Sequence, residues 1–476
     1  VAYAAALAGA AVLALVLHAG ALGHGFVGDD HYLIERNPAL RGPGALAAAL
    51  RPGGWGAAAD AWNREVNARF YRPTVIAWFV ADQRIFGDGP RGFHLMSLLG
   101  HAAGAVLAGL VLARLARSRL VGALGALLFA AHAVHTEAVS MITYRSTIAE
   151  GLFVLAALAC EGAARDAARR AARRAWRAAG CAAAVLALGA KETAVMLPAL
   201  VVLLHLSPRG VGPARSGGLR AALVAALPYA ALAAATLALR AATALAGGWT
   251  FFAGASRGTV VLSMLGVLGL YARLLVFPAR FTPFYDWSLV LVRSPLAPEA
   301  IVGALLAVVL VAAPFALRRR HPRAALLVGW LALTLLPVMN IVPFTVAAGE
   351  RLLYLPSVAF IGLAALGLAA LAAPGAAPAG RVAAAAVLAA ALALHGAQTV
   401  RRTADWRDDE TLLRATVRDY PESVAAQVHL ARHLSRRPTR PAAEACAHYR
   451  AALALEPGLG AVRSEARALG CEAAAP

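Results

Sequence analysis

The stretch RLARSRLVGALGALLFAAHAVHTEAVSMITYRSTIAEGLFVLAALACEGAARDAARRAARRAWR, residues 114–177, sets the architecture of the chain. Two apolar runs, roughly 120–138 and 147–164, lie between two arginine clusters: Arg114, Arg117 and Arg119, then Arg165 through Arg177. Runs of this length suit bilayer helices, and short arginine-rich loops mark the cytoplasmic side. Two crossings return the chain to the side it left. The polar bend His132–Arg145 between them therefore faces outside.

The same arithmetic extends in both directions. A third cluster (Arg209, Arg215, Arg220) and a fourth (Arg318–Arg323) also read as inside loops. Apolar runs 178–190 and 193–207 flank Lys191-Glu192, which places Lys191 at the outer boundary. Three runs (221–245, 259–277, 299–317) separate the third and fourth clusters, and an odd number cannot join two loops on one side. Run 259–277 carries Arg273, Gly266 and Gly269 and precedes the Pro- and aromatic-rich Phe277–Trp287, so it is the one expected to be re-entrant or to lie along the surface. The first run, Val1–Leu22, lacks the basic start of a signal peptide and reads as a span. With 324–341, 352–372 and 381–397 the count is about eleven crossings, with the N-terminus inside and the C-terminus outside.

Composition agrees. Of 476 residues 60% are hydrophobic, and the mean hydropathy is +0.66, above what soluble domains hide. The fold class is all-α: a polytopic membrane helical bundle with a C-terminal helical tail. A net charge of +20 would ordinarily suggest nucleic acid. Here the arginines sit between spans and set orientation, so no nucleic-acid partner is expected. The Arg- and Ala-rich composition points to a high-GC bacterium and its plasma (inner) membrane.

Residues 1–400 form the membrane domain, in which 23–92 is a large outer loop, longer than packed helices need. Residues 401–476 turn polar. Glu422–Leu434 and Pro441–Leu455 read as amphipathic helices punctuated by Tyr420-Pro421 and Glu456-Pro457, near the period of a tetratricopeptide repeat, so a partial repeat or a plain helical hairpin is expected. Cys160 and Cys181 fall in apolar runs. Cys446 and Cys471 could pair in an oxidising compartment, which spacing alone does not decide.

Five groups could carry chemistry. Asp29-Asp30 follows the first span, where a carboxylate suits a general base taking a proton from a hydroxyl; a solvated loop start is the alternative. Arg72, in Arg69-Phe70-Tyr71-Arg72-Pro73, either snorkels or meets a phosphate through its fork of donors. Lys191 is the single lysine among 45 basic residues. Retaining it suggests that a compact ammonium is needed, for a phosphate or for an ion pair. His132, His135 and Glu137, with Arg145 beyond, offer metal ligands or interfacial hydrogen bonds. Glu350, Arg351 and Tyr354 lie in Gly349–Pro356, where a structural ion pair is the alternative. Carboxylates and cations gathered on one face beside lipid fit transfer of a group from a phosphate-anchored lipid.

At these residues the chain resembles the TMTC family. Asp29-Asp30, Tyr71-Arg72-Pro73, His135-Thr-Glu-Ala-Val139, Lys191-Glu192, Glu350-Arg-Leu-Leu-Tyr-Leu-Pro-Ser357 and the trailing repeat carry the likeness. More distantly the chain is similar to the GT-C protein O-mannosyltransferases and bacterial aminoarabinose transferases. The resemblance implies a membrane glycosyltransferase that takes sugar from a polyprenyl-phosphate carrier to a protein or lipid hydroxyl, with inversion. Asp29 would be the base, with Arg72 and Lys191 on the phosphate side. No metal ligand is assigned, and a divalent ion stays open. One position departs from the family: TMTC relatives have Asp two residues after the arginine equivalent to Arg145, and here Thr147 stands there, with Glu150 one turn on as the substitute. A lipid-linked-sugar transporter would instead show inverted repeats, and a non-catalytic scaffold would not need Asp29 or Lys191.

Overall fold

The computed structural model describes residues 1–51, 71–206, 218–243, 251–342, 345–373, 375–437 and 442–471. Residues 52–70 of the 23–92 loop, with Arg69 and Phe70, lie outside them, as do Arg209, Arg215 and Pro441. The principal helices are α1 (Ala2–His18), α2 (Pro73–Phe86), α3 (Pro90–Ala116), α4 (Arg119–Ala131), α5 (Arg145–Asp166), α6 (Arg170–Leu188), α7 (Leu197–Leu206), α8 (Leu219–Thr243), α9 (Arg257–Val276), α10 (Pro298–Leu317), α11 (Pro322–Leu335), α12 (Tyr354–Leu371), α13 (Pro378–Asp405) and the tail helices α14 (Asp409–Asp419), α15 (Val424–Ser435), α16 (Ala442–Leu455) and α17 (Gly460–Ala468). No strand occurs among the described residues. The chain is an all-α, multi-pass membrane bundle.

Among the described residues eight helical segments are long and apolar enough to cross a bilayer, nine with the bent pair Arg119–Ala131 and Ala133–Ser140. Segments 192–206 and 322–338 are apolar but short, and α6 is loaded with arginine in its first half. The re-entrant alternative for 259–277 does not hold: α9 is one unbroken helix of 20 residues. Its glycines do not break it, and α10 packs Gly303 directly on the backbone of Leu265. Small residues permit such close approach between spans. The break falls instead at His132, where the chain bends by 53°. There Nδ1 accepts the Val134 N–H (3.2 Å) and Nε2 donates to the Leu275 carbonyl (2.9 Å), satisfying groups freed by the bend.

The centre of the bundle is α3, α5 and α12, and lipid-side helices surround it. The α10 segment is only 11% buried, presenting Leu305, Val308, Val311 and Phe315 outward, as a lipid solvent requires. Arginine clusters gather at one end: Arg114 packs on Gly162, Arg165 donates to the Leu204 carbonyl, and Arg177 lies 3.5 Å from Glu161. At the other end the loop after α1, the bend at 132–145, the 349–353 turn and the tail meet.

The tail helices match the expected pair closely at Val424–Ser435 and Ala442–Leu455. Cys446 in α16 and Cys471, just beyond α17, form a disulfide, resolving the open pairing. The tail docks through Trp406, buried with Val27, Met141 and Leu412, and through Asp286, which accepts from Ser423 Oγ (2.8 Å) and the Ala425 N–H (2.7 Å).

Candidate active site

The two adjacent acids after α1 have opposite fates. Gly28 takes φ +56°, a left-handed turn that glycine adopts freely. Beyond it Asp30 is fully buried, accepting the N–H groups of Thr143 (2.8 Å), Ile142 (3.2 Å) and Val27 (3.5 Å). Burial pushes its carboxyl up to about 7, against the pull of those bonds. Asp30 is thus an anchor between the first loop and the bend. Asp29 is exposed to solvent, and its carboxylate accepts no hydrogen bond from a described residue. The protein packed around it nevertheless raises its pKa, and the Arg351 charge opposes that rise.

Arg351 links Asp29 to the lysine. Its backbone N–H (2.6 Å) and Nη1 both donate to Glu137, and its guanidinium lies 4.1 Å from the Tyr144 ring centre. Nη1 carries that ion pair, which leaves other N–H groups of the fork for a ligand. Arg351, Lys191, Thr147 and Glu150 line one small cavity, closed by Thr334, Val338 and Leu355. Lys191 Nζ donates to Thr147 Oγ1 (2.8 Å) and sits 3.8 Å from Glu150, both side chains about 5% exposed. The family departure therefore has a local account. Thr147 and Glu150 share the work of contacting the ammonium. At the rim Glu192 accepts from Arg72 Nη2 (2.7 Å) and Arg240 Nη1 (2.9 Å), and the Thr74 N–H bonded to the Gly189 carbonyl (3.1 Å) fixes the start of α2 there. Arg351 and Lys191 thus line one cavity, Arg72 stands beside it on Glu192, and the Arg351 charge is felt at Asp29.

Other candidates stand apart from this group. Arg145 is wholly buried, its guanidinium donating to Asp82, to the Phe93 carbonyl and to Ser97 Oγ (3.1 Å), beside the Trp78 and Phe79 rings. Its expected place at the substrate is corrected: a guanidinium that cannot lose its charge must find every partner inside. His135 is likewise interior, bonded to the Phe129 carbonyl (3.0 Å) and 2.9 Å from Ser357 Oγ. Tyr354 hydrogen-bonds His101 Nδ1 (3.1 Å). Glu350 faces away from the cavity, accepting from the Thr282 N–H (3.0 Å) and Tyr285 Oη (2.9 Å) near Arg402. The bend thus uses its histidines and Glu137 for hydrogen bonds and an ion pair. Among the described residues no cluster of three or more His, Cys, Asp or Glu side chains has metal-binding geometry.

Residues missed in the sequence are Asp82, Tyr144, Arg240 and Asp409. Asp82 had a signal, as the single acid in the apolar run of α2. Asp409 had none, being one of several acids in a polar tail.

What fold and site define is a multi-pass membrane protein with an acid and a row of cations at one end of its bundle. No family model matches the chain. It is similar to the TMTC proteins: Protein O-mannosyl-transferase Tmtc1 of Drosophila melanogaster is 33% identical over 153 residues, 32% of this chain and 18% of that protein. A Protein O-mannosyl-transferase of Caenorhabditis elegans is 28% identical over 149 residues, 31% of this chain and 21% of that one. TMTC3 of Homo sapiens is 29% identical over 133 residues, 28% and 14%. The matched stretches span about a fifth or less of these relatives' own length. Among solved structures, an archaeal oligosaccharyltransferase AglB from Archaeoglobus fulgidus, in complex with an inhibitory peptide and a dolichol-phosphate, gives a TM-score of 0.48 at 12% identity, covering 84% of this chain and 56% of that one. The apo form of an oligosaccharyltransferase from the same organism gives 0.49 at 12%, covering 93% and 59%.

Proposed function

We propose that the chain is a membrane glycosyltransferase that moves a sugar from a polyprenyl-phosphate carrier to a hydroxyl acceptor, a serine or threonine of protein being the acceptor class favoured by the O-mannosyl-transferase relatives. The observation that carries this reading is that grouping of acid and cations. A solvent-reached, unpinned carboxylate, Asp29, stands within electrostatic range of Arg351, which shares a cavity with the single lysine. A structural ion-pair network has no need of a free acid at its open end.

In this mechanism the acceptor oxygen attacks the anomeric carbon as the bond from that carbon to the carrier phosphate breaks, inverting the centre. Asp29 takes the hydroxyl proton, and a carboxyl raised by its surroundings is a stronger base than a free one. Arg351, Lys191 and Arg72 stabilise the charge arriving on the departing phosphate. Beside the row, an apolar cavity of about 800 Å³ between α9, α10 and α11 is lined by Met264, Leu268, Leu310, Leu335 and Met339. Leu335 and Met339 are chain neighbours of Thr334 and Val338, which line the lysine cavity. A chain of isoprene units in the first would leave its phosphate at the second. The active end and the tail would face away from the cytoplasm.

Membranes holding the protein, given a polyprenyl-phosphate sugar and a Ser/Thr peptide, should yield glycosylated peptide. Movement of the donor across vesicles without product would instead indicate a transporter, and neither outcome would indicate a scaffold.

A further inference from the structure

We infer that Asp409, the first residue of α14 in the tail, is a positioning residue for the Asp29 loop, so that the C-terminal segment completes the active end. This inference rests on the glycosyltransferase reading above. Asp409 spans the loop on both sides of the proposed base. Its Oδ1 accepts the Gly28 N–H at 2.8 Å, and its Oδ2 lies 3.0 Å from His31 Nε2. The far side of the His31 ring is held by Glu35, whose Oε2 is 2.6 Å from Nδ1. His31 between two carboxylates is a cation whose two N–H groups both donate, and the pair is only partly exposed, at 25% and 31% of the side chains.

Within the loop the Tyr32 (3.2 Å) and Leu33 (2.9 Å) N–H groups bond to the Asp29 carbonyl, which leaves its side chain to be placed by the surroundings. Gly28 lies in the left-handed region, where glycine moves freely, and no described residue donates to the Asp29 carboxylate. Two clamps fix the loop. The bend holds Asp30 through the Ile142 and Thr143 amides, and the tail holds Gly28 and His31 through Asp409. Asp29 is suspended between them. A second tail contact, the Gly25 N–H donating to the Arg407 carbonyl at 3.1 Å, brings α14 into register, and buried Trp406 seats it. Helix capping at α14 is done by the neighbouring Asp408, which accepts the Thr411 N–H at 2.8 Å. Asp409 is therefore free of that duty, and its carboxylate serves the loop.

The test compares full-length wild type, Asp409→Ala and Asp409→Asn, each checked for folding by its melting temperature in detergent. Two readouts apply: transfer kinetics from polyprenyl-phosphate sugar to peptide, and amide exchange in the peptide covering 26–33. For Asp409→Ala we expect kcat to fall by on the order of 10- to 100-fold, as a misplaced base loses orientation. The KM for donor should stay unchanged, because the cation row is untouched, and exchange in 26–33 should accelerate. Asp409→Asn, which keeps the acceptor for Gly28 and gives up the charge on His31, should recover part of both, and is read instead if the Ala variant does not fold. Unaltered exchange, or full kcat in a folded Ala variant, overturns the inference. Wild type without transfer removes the enzymatic reading alone, and the exchange arm then still decides whether Asp409 holds the loop.

Discussion

Two charged assemblies meet on the first turns of α5, one at Arg145 and the other at Thr147 and Glu150, and they put their cations to opposite uses. Around Arg145 the guanidinium is 0% exposed, Asp82 is 1% exposed, and backbone and ring groups close the remainder. Around Lys191 and Arg351 the charges are also paired, but each keeps donors, a cavity separates them, and the acid at the open end has no hydrogen-bond partner among the described residues. The difference teaches that charge inside a membrane protein does not itself mark chemistry. Spare bonding capacity beside an opening does.

The comparison breaks most visibly at Asp82. Asp82→Ala leaves Arg145 buried and uncompensated, which should cost about 3–5 kcal/mol, seen as a large drop in detergent melting temperature. Protein that stays folded should retain its transfer rate. A rate loss without a melting shift would move Arg145 into the site. Lys191→Arg is expected to act the other way round. Charge is conserved, yet a planar fork cannot take the place of an ammonium between Thr147 and Glu150. Transfer should fall on the order of 100-fold, as loss of one preorganised electrostatic donor does, with melting shifted little. Equal transfer by the two proteins would make Lys191 an ordinary ion-pair partner.

A smaller effect sharpens the boundary between bundle and tail. His31 is raised to about 9 by Asp409 and Glu35, with Arg36 beyond Glu35 and His433 near Asp409, while Asp409 is held below its ordinary value by His31 and the Gly28 amide. A histidine raised in the folded state contributes stability fully below its unfolded pKa and loses it as pH climbs through the folded value. Tail docking should therefore hold at neutral pH and loosen as pH passes about 9. Amide exchange in 26–33 should rise a few-fold between pH 7 and 10, after correction for intrinsic rates. A flat corrected profile would show that the docking does not depend on this pair.

Much of the fold was legible because membrane helices announce themselves by length and apolarity, and because arginine clusters sort to one end. What was not legible is whether the glycines of an apolar run break it or pack, as they do in α9. In the site, Asp29, Lys191 and Arg351 were legible as members of charged pairs at span ends, Asp29-Asp30, Lys191-Glu192 and Glu350-Arg351. The sequence could not separate Asp29 from Asp30, since only the neighbouring 142–143 amides decide which acid is pinned. Nor could it separate Arg145 from Arg351. Their roles depend on Asp82 and Glu137, one 63 residues before its arginine and the other 214 residues before.

The most direct measurement is sugar transfer by Asp29→Asn. Asparagine fits the same space and cannot take a proton. Transfer from polyprenyl-phosphate sugar should fall by on the order of 100- to 10,000-fold, with melting temperature and donor binding retained. Undiminished transfer by the folded variant would contradict the account and take the base away from the row of cations.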